Sequence, residues 1–257
     1  GWLASPDNPL TARVLANRVW QKLFGTGLVR TPNNFGCTGD VPSHPELLDW
    51  LARELIDSGW SIKHLVRTIV QSQAFQLAAG VPPANDPENR LLCCYTPRRL
   101  TAEEFRDAML LVAGRLDPMM GGPATQDLHR PRRSIYIQTV RQDRRNFSTR
   151  FDAADPEQCV GQRNVTTTAP QALFLLNNDF VHGQAGHVAA RLEREFPDDI
   201  KARIERAYQL LFGRSATPRE TELAKELVAD AAARDPSTAW QEFAHVLLLT
   251  NEFAYVE

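Results

Sequence analysis

WQKLFG (residues 20–25) returns near the other end of the chain as YQLLFG (residues 208–213). Behind each copy, in the same order, come a ladder of Leu and Ala, a Trp and an apolar run closing on Phe. The first copy reads LLDWLAREL (47–55), Trp60 and HLVRTIVQSQAF (64–75); the second reads ELAKELVADA (222–231), Trp240 and HVLLLTNEF (245–253). Amphipathic helices resemble one another because all need one apolar face. Three blocks in a fixed order are a stronger signal and point to a duplicated helical unit. The first copy is the longer, with its extra residues mostly in the loop-like TPNNFGCTGDVPSH (31–44). Two copies are too few for a solenoid, so the expectation is a mainly α fold: two related helical lobes with a small extended element and long loops between them.

Working outward, helix starts are legible. Ser or Thr followed three residues later by Glu or Gln lets each side chain satisfy an orphan backbone donor. Ser43 with Glu46, Thr101 with Glu104, Thr168 with Gln171, Thr217 with Glu220 and Thr238 with Gln241 fit this box. Periodicity and breakers predict helices over 10–24, 45–57, 62–77, 101–114, 169–177, 179–195, 199–212, 218–233 and 238–252. RRSIYIQTV (132–140) alternates and is rich in β-branched and aromatic residues, which predicts a strand. The expected segments are an N-terminal helical lobe (1–114), an Arg-rich insert with one or two short strands (115–168) and a C-terminal helical lobe (169–257). Gly1 to Ala4 reads as the end of a helix already under way, so the chain is expected to be part of a longer protein.

The chain has 257 residues, 43% of them hydrophobic, and a formal charge of −2. That composition supports a sizeable core. The near-neutral charge supplies no field to recruit nucleic acid, and no apolar run is long enough to span a bilayer. Cys37, Cys93, Cys94 and Cys159 form no C-x-x-C and no haem-attachment motif, and read as small buried hydrophobes. A Cys37–Cys159 disulfide has no support in the spacing. No cofactor is expected in this chain.

The compositional anomaly lies between the copies. From His129 to Arg150 seven arginines (130, 132, 133, 141, 144, 145, 150) face one acid, Asp143. A guanidinium is a planar fork suited to carboxylate, sulfate or phosphate. One reading is an anion-recognising groove, for example for acidic carbohydrate, with Arg132, Arg133, Arg141, Arg144, Arg145 and Arg163 as ligand-binding residues and the helix start near Thr168 assisting. The other is a loop stapled by pairs with Asp127, Asp143, Asp152, Asp155 and Glu157. For catalysis the acid–base candidates are His129, Asp152 and Asp155, with Cys159 and Thr166 as nucleophiles, and sequence gives neither their separation nor their tuning. No nucleophile elbow, zinc-protease motif, phosphate loop or dinucleotide fingerprint is present.

His182 and His187 lie five apart, which splays them around a helix. His44 lies at a helix start, His64 and His245 read as packing residues, and Trp20, Trp50, Trp60 and Trp240 read as core or helix-entry residues. Asn146-Phe147-Ser148 and Asn164-Val165-Thr166 match the glycosylation triplet, a pattern common by chance.

NPLTARVLANRVWQKLFGTGLVRTPNNFG (8–36), PSHPELLDWLARELIDSGWSIKHLVRTIVQSQAF (42–75), DPENRLL (86–92), PRRLTAEEFRDAML (97–110) and RNVTTTAPQALFLLNNDFV (163–181) resemble the C-terminal domain of large planctomycete proteins catalogued as domain of unknown function family 1553. The resemblance implies a multidomain parent carrying another uncharacterised domain, often with a cytochrome-c-like region and sometimes a lectin-like sandwich. It implies export, hence a periplasmic or otherwise extracytoplasmic setting, with haem elsewhere in the parent and the other domains as partners. It supplies no catalytic residue. The reading reached is an accessory module for interdomain contact or anionic-ligand recognition; the alternative is a carbohydrate-active or other hydrolytic enzyme with an Arg/His/Asp pocket in the insert.

Overall fold

The computed structural model describes residues 1–5, 8–140 and 147–256. Among them the chain forms two compact units, Gly1–Arg98 and Arg99–Val256. It is mainly α-helical, as the periodicity predicts.

The first unit contains α1 (Pro9–Phe24), α2 (Pro45–Asp57) and α3 (Ile62–Val70). Asn8 starts α1 by accepting the backbone N–H groups of Leu10 and Thr11, with Pro9 in the first turn where its missing donor costs nothing. Leu48, Leu51 and Leu55 share one face of α2 and bury against Val19 and Trp20 of α1 and Leu65 and Ile69 of α3. Asn17, fully buried, binds both backbone groups of Val29: its Oδ1 accepts the N–H at 2.9 Å and its Nδ2 donates to the carbonyl at 3.0 Å. This fastens the return loop to α1.

The second unit contains β1 (Arg98–Arg99, from its second residue), α4 (Ala102–Val112), α5 (Phe147–Arg150), α6 (Ala169–Asn177), α7 (Asp179–Glu195), α8 (Ile200–Phe212), α9 (Pro218–Arg234), α10 (Ala239–Leu248), α11 (Asn251–Ala254) and β2 (Tyr255–Val256). α10 is apolar on most faces and packs against both α7 and α9. Phe180, Phe243, Leu192, Ile204 and Leu248 are almost inaccessible in this core. A cluster of rings joins it: Phe105 stacks on Phe151 at 5.6 Å, and Phe147 lies 4.7 Å from Phe151 and 5.4 Å from Phe174. The capping boxes at Thr101/Glu104 and Thr217/Glu220 form in both directions.

Several expectations change. The stretch 132–140 is no strand. Ser134–Tyr136 form a 3-10 turn, flanked by isolated bridges Asp117↔Arg132 and Thr125↔Ile137. Side chains of α4 take the backbone groups that a ladder would need: Asp107 accepts the N–H of Ser134 at 2.7 Å, and Arg106 donates to the carbonyl of Arg132 at 2.8 Å. α3 ends at Val70 rather than 77, and the segment predicted as one helix over 238–252 is α10 and α11, separated where Thr250 starts the second. His44, not Ser43, precedes α2, and Thr238 makes no side-chain cap. Trp50 is 51% exposed and Trp60 39%, whereas Trp20 and Trp240 are core residues as expected. The cysteines are free thiols, exposed at Cys37, Cys93 and Cys159 and half-buried at Cys94. No helix among the described residues is long and apolar enough to cross a membrane.

Candidate functional site

The second unit carries a cleft of about 290 Å³. One wall is α6, whose ALFLLN run puts Ala172, Leu175 and Leu176 on the open side while Phe174 turns into the core. The opposite wall is the break between α10 and α11. Thr250 makes that break: its hydroxyl donates to the Leu247 carbonyl at 2.7 Å and accepts the Phe253 N–H at 3.4 Å, which leaves Leu248, Leu249 and Ala254 lining the cleft. Phe105 contributes from α4, and Arg99 from β1. Arg99 is the one charged residue among the described residues of the lining.

A polar edge adjoins this apolar trough. Gln171, 2% exposed, is its hub. Its Oε1 accepts from the Thr168 N–H at 3.2 Å and from Arg99 at 3.3 Å; its Nε2 donates to the Arg150 carbonyl at 2.8 Å and to Asp152 at 3.4 Å. Arg99 also donates to the Thr166 carbonyl. Asp152 accepts the Thr166 N–H at 2.9 Å and its hydroxyl at 2.8 Å. Asp152 has φ +60°, a left-handed backbone that Asp tolerates better than most residues. Two of the sequence candidates, Asp152 and Thr166, therefore meet beside the cleft. Sequence reasoning gave Gln171 only a capping role and gave Arg99 none; a glutamine at the third position of an otherwise apolar helix is the only trace of it in the chain.

The remaining candidates lie elsewhere. His129 is exposed, its ring edge-on to Phe180 at 5.9 Å. Asp155 is exposed and accepts the N–H of Glu157 within its own turn, and Cys159 is exposed. Among the described residues no hydrogen bond joins His129 to Asp152 or Asp155. Arg132 is 8% exposed; it donates to the carbonyls of Pro123, at 2.7 Å, and Gly121, and lies 4.0 Å over the Tyr136 ring. Arg133 is exposed at the start of the 3-10 turn. Arg163 pairs with Glu103 at 2.6 Å. Burial pushes the Glu103 carboxyl up, but the bonds from Arg163 and from its own backbone outweigh it and hold the group below the usual carboxylate range. Arg141, Arg144 and Arg145, with Asp143 and the Asn146 that heads the first glycosylation triplet, fall outside the described residues.

The loop bearing the arginines is organised by one that sequence reasoning passed over. Arg106 of α4 is 1% exposed and donates to the carbonyls of Leu128, Arg130 and Arg132 and to the Ser134 hydroxyl. Burial lowers its pKa, opposed by the charges of Asp107 and Asp127. Neither Arg106 nor Arg132 is offered to solvent.

The family model described as Protein of unknown function (DUF1553), PSD1, matches residues 1–228. The chain belongs to this family. The match ends within α9, so the α6 wall of the cleft lies inside the DUF1553 region and the α10–α11 wall follows it. No curated protein and no solved structure matches the chain.

Proposed function

We propose that this DUF1553 chain is a non-catalytic accessory module of a multidomain extracytoplasmic protein, and that the cleft of its second unit recognises a ligand with an apolar body and an anionic end. The observation that carries the reading is a leucine-walled trough whose charged lining residue is Arg99. Apolar surface supplies affinity through area removed from water, about 25 cal/mol per Å². Arg99 supplies orientation: two of its N–H groups are held by Thr166 and Gln171, so the guanidinium is positioned with donors to spare. A polyhydroxylated ligand would need polar partners along its whole length, and the side chains of Leu175, Leu176, Leu248 and Leu249 supply none. The same chemistry fits a free amphiphile or an apolar segment of a neighbouring domain ending in a carboxylate.

Calorimetric titration with decanoate and decanol tests this. Decanoate is expected to bind saturably and more tightly than decanol. Arg99→Gln is expected to weaken decanoate about tenfold, the scale of a lost charged hydrogen bond, and leave decanol unchanged. Ala172→Trp, on an exposed position of the α6 wall, fills the cleft and is expected to abolish both. Absence of saturable heat, or equal loss of acid and alcohol on Arg99→Gln, contradicts the reading.

The hydrolytic alternative keeps one observation, the Thr166 hydroxyl held by Asp152. It requires turnover of an activated ester such as 4-nitrophenyl butyrate, lost in a folded Thr166→Val variant. Turnover that survives this change removes it.

A further inference from the structure

A loop of the first unit, independent of the cleft, carries two adjacent thiols. Asn89, 7% exposed, holds it together from within. Its Oδ1 accepts the backbone N–H of Cys93 at 3.0 Å and of Cys94 at 3.4 Å; its Nδ2 donates to the Cys94 carbonyl at 2.6 Å and to the Thr96 hydroxyl at 3.0 Å. Asp86 pins the start of the same loop by accepting the N–H groups of Arg90 and Leu91 at 2.9 and 2.7 Å. Asn89 and Leu92 both have positive φ, +49° and +55°, a cost the surrounding bonds offset. The loop is therefore built, and it carries an exposed Cys93 followed in sequence by a half-buried Cys94, both free thiols, with the Cys94 thiol donating to the Gly80 carbonyl at 3.5 Å.

Adjacent Cα atoms stand about 3.8 Å apart across a trans peptide, below the roughly 4.4–6.8 Å that disulfides span. Direct S–S closure would be strained. A bridging atom relieves this, because each thiolate–metal bond adds about 2.3 Å, the length known for zinc. A closed zinc site needs four donors, and among the described residues no group of three His, Cys, Asp or Glu comes together. The donors at hand are two soft sulfurs, which select soft ions.

We propose that Cys93 and Cys94 form a two-thiolate site for a soft monovalent ion of the Cu(I) class. On binding, each thiol releases its proton to solvent, two copper–sulfur bonds form and the copper stays at +1, so no oxidant is needed. The contacts of the Cys93 thiol with Asn89 Oδ1, at 3.3 Å, and of the Cys94 thiol with the Gly80 carbonyl, at 3.5 Å, are both given up, while the backbone bonds to Asn89 remain and keep the loop in place.

The test is an anaerobic titration of the whole chain with Cu(I) buffered by bicinchoninate. One copper per chain is expected to leave the chelator, with a new sulfur-to-copper charge-transfer band in the ultraviolet. A Cys37→Ser/Cys159→Ser double variant is expected to behave like the parent, and Cys93→Ser and Cys94→Ser each to lose the transfer. Circular dichroism checks folding; should a serine variant fail it, alkylation of Cys93 in the folded parent is the substitute and is expected to block uptake. Uptake that survives these blocks, a band that needs Cys37 or Cys159, a copper-bridged pair of chains, or loss of two hydrogens in the intact mass through a vicinal disulfide would each overturn the proposal.

Discussion

The two copies of the repeated phrase end their helices alike and then part company. α1 closes on Phe24 and Gly25 (φ +81°), α8 on Phe212 and Gly213 (φ +71°), positive angles that glycine adopts without a side-chain penalty. The aromatic four residues earlier is buried in both, but Trp20 stacks on Phe24 at 4.1 Å and 15°, whereas Tyr208 meets Phe212 edge-on at 5.3 Å. Downstream, the first copy leaves Trp60 39% exposed; the second buries Trp240 to 8% and Phe253 to 4%. The difference lies in what each unit adds. The second copy has α4, α6 and α7 to pack its closing helices, and the first has loops. The same amphipathic phrase fixes a helix end locally, while the fate of the residues behind it depends on which other elements are present to cover them.

Each unit also contains a buried polar side chain that fastens a loop, and removing the one in the second unit is expected to have the largest effect. Arg106→Met removes the donors from the carbonyls of Leu128, Arg130 and Arg132. At about 1–2 kcal/mol for each of these three buried or partly buried groups, a loss of about 3–6 kcal/mol is expected in chemical denaturation. Asn17→Ala frees two backbone groups of Val29 and is expected to cost about 2–4 kcal/mol. If Asn17→Ala proved the more damaging, the second unit would depend less on its arginine-pinned loop than its packing suggests.

Next come the paired tryptophans. Trp240→Ala is expected to cost about 3–5 kcal/mol, the usual range for emptying a core site. Trp60→Ala is expected to cost under about 1 kcal/mol. Because Trp60 has φ +63°, Trp60→Gly is expected to be tolerated better than Trp60→Ala. Equal losses at positions 60 and 240 in the same denaturation assay would erase the contrast between the copies.

The smallest effect concerns Arg214, directly after the second phrase, which binds Glu220 at 2.7 Å and Glu252 at 2.6 Å. The Arg214 hydrogen bond, with help from the Thr217 cap, lowers the Glu220 carboxyl to about 2. A depressed folded-state value stabilises above the unfolded value of 4.5 and is lost as pH falls toward about 2. Both partners are partly exposed, so the gain is modest. Arg214→Gln is expected to lower the thermal midpoint at pH 7 slightly and to flatten its fall between pH 4.5 and 2. An unchanged acid limb would remove the pair from the account.

What was legible in the chain follows from how local each signal is. Thr101/Glu104 and Thr217/Glu220 are capping partners three residues apart, and they formed as read. The start of α1 at Asn8 needed only its own side chain and the following Pro9. RRSIYIQTV has the alternation of a strand, but a strand needs a neighbour, and here Arg106 and Asp107 of α4 take the backbone groups instead. That competition spans more than twenty residues and leaves no periodic trace. Trp50 reads from sequence as a core or helix-entry residue, yet Leu48, Leu51 and Leu55 already fill the inward face of α2 and turn it outward. The arginine-rich stretch drew attention by composition, whereas the cleft rests on Arg99 and Gln171, single polar residues at the edges of apolar runs. Convergence of Asp152, Thr166 and Gln171 depends on tertiary packing that no spacing rule encodes.

The most direct test of the proposed ligand site is a ¹H–¹⁵N chemical-shift titration of the labelled chain with decanoate. Saturable shifts are expected, confined to amides around the cleft, at Thr168, Ala172, Leu176, Leu249 and Ala254, with the Arg99 side-chain signal moving for decanoate and not for decanol. Shifts centred on the arginine loop at 129–134, or no saturable shift at all, would contradict it.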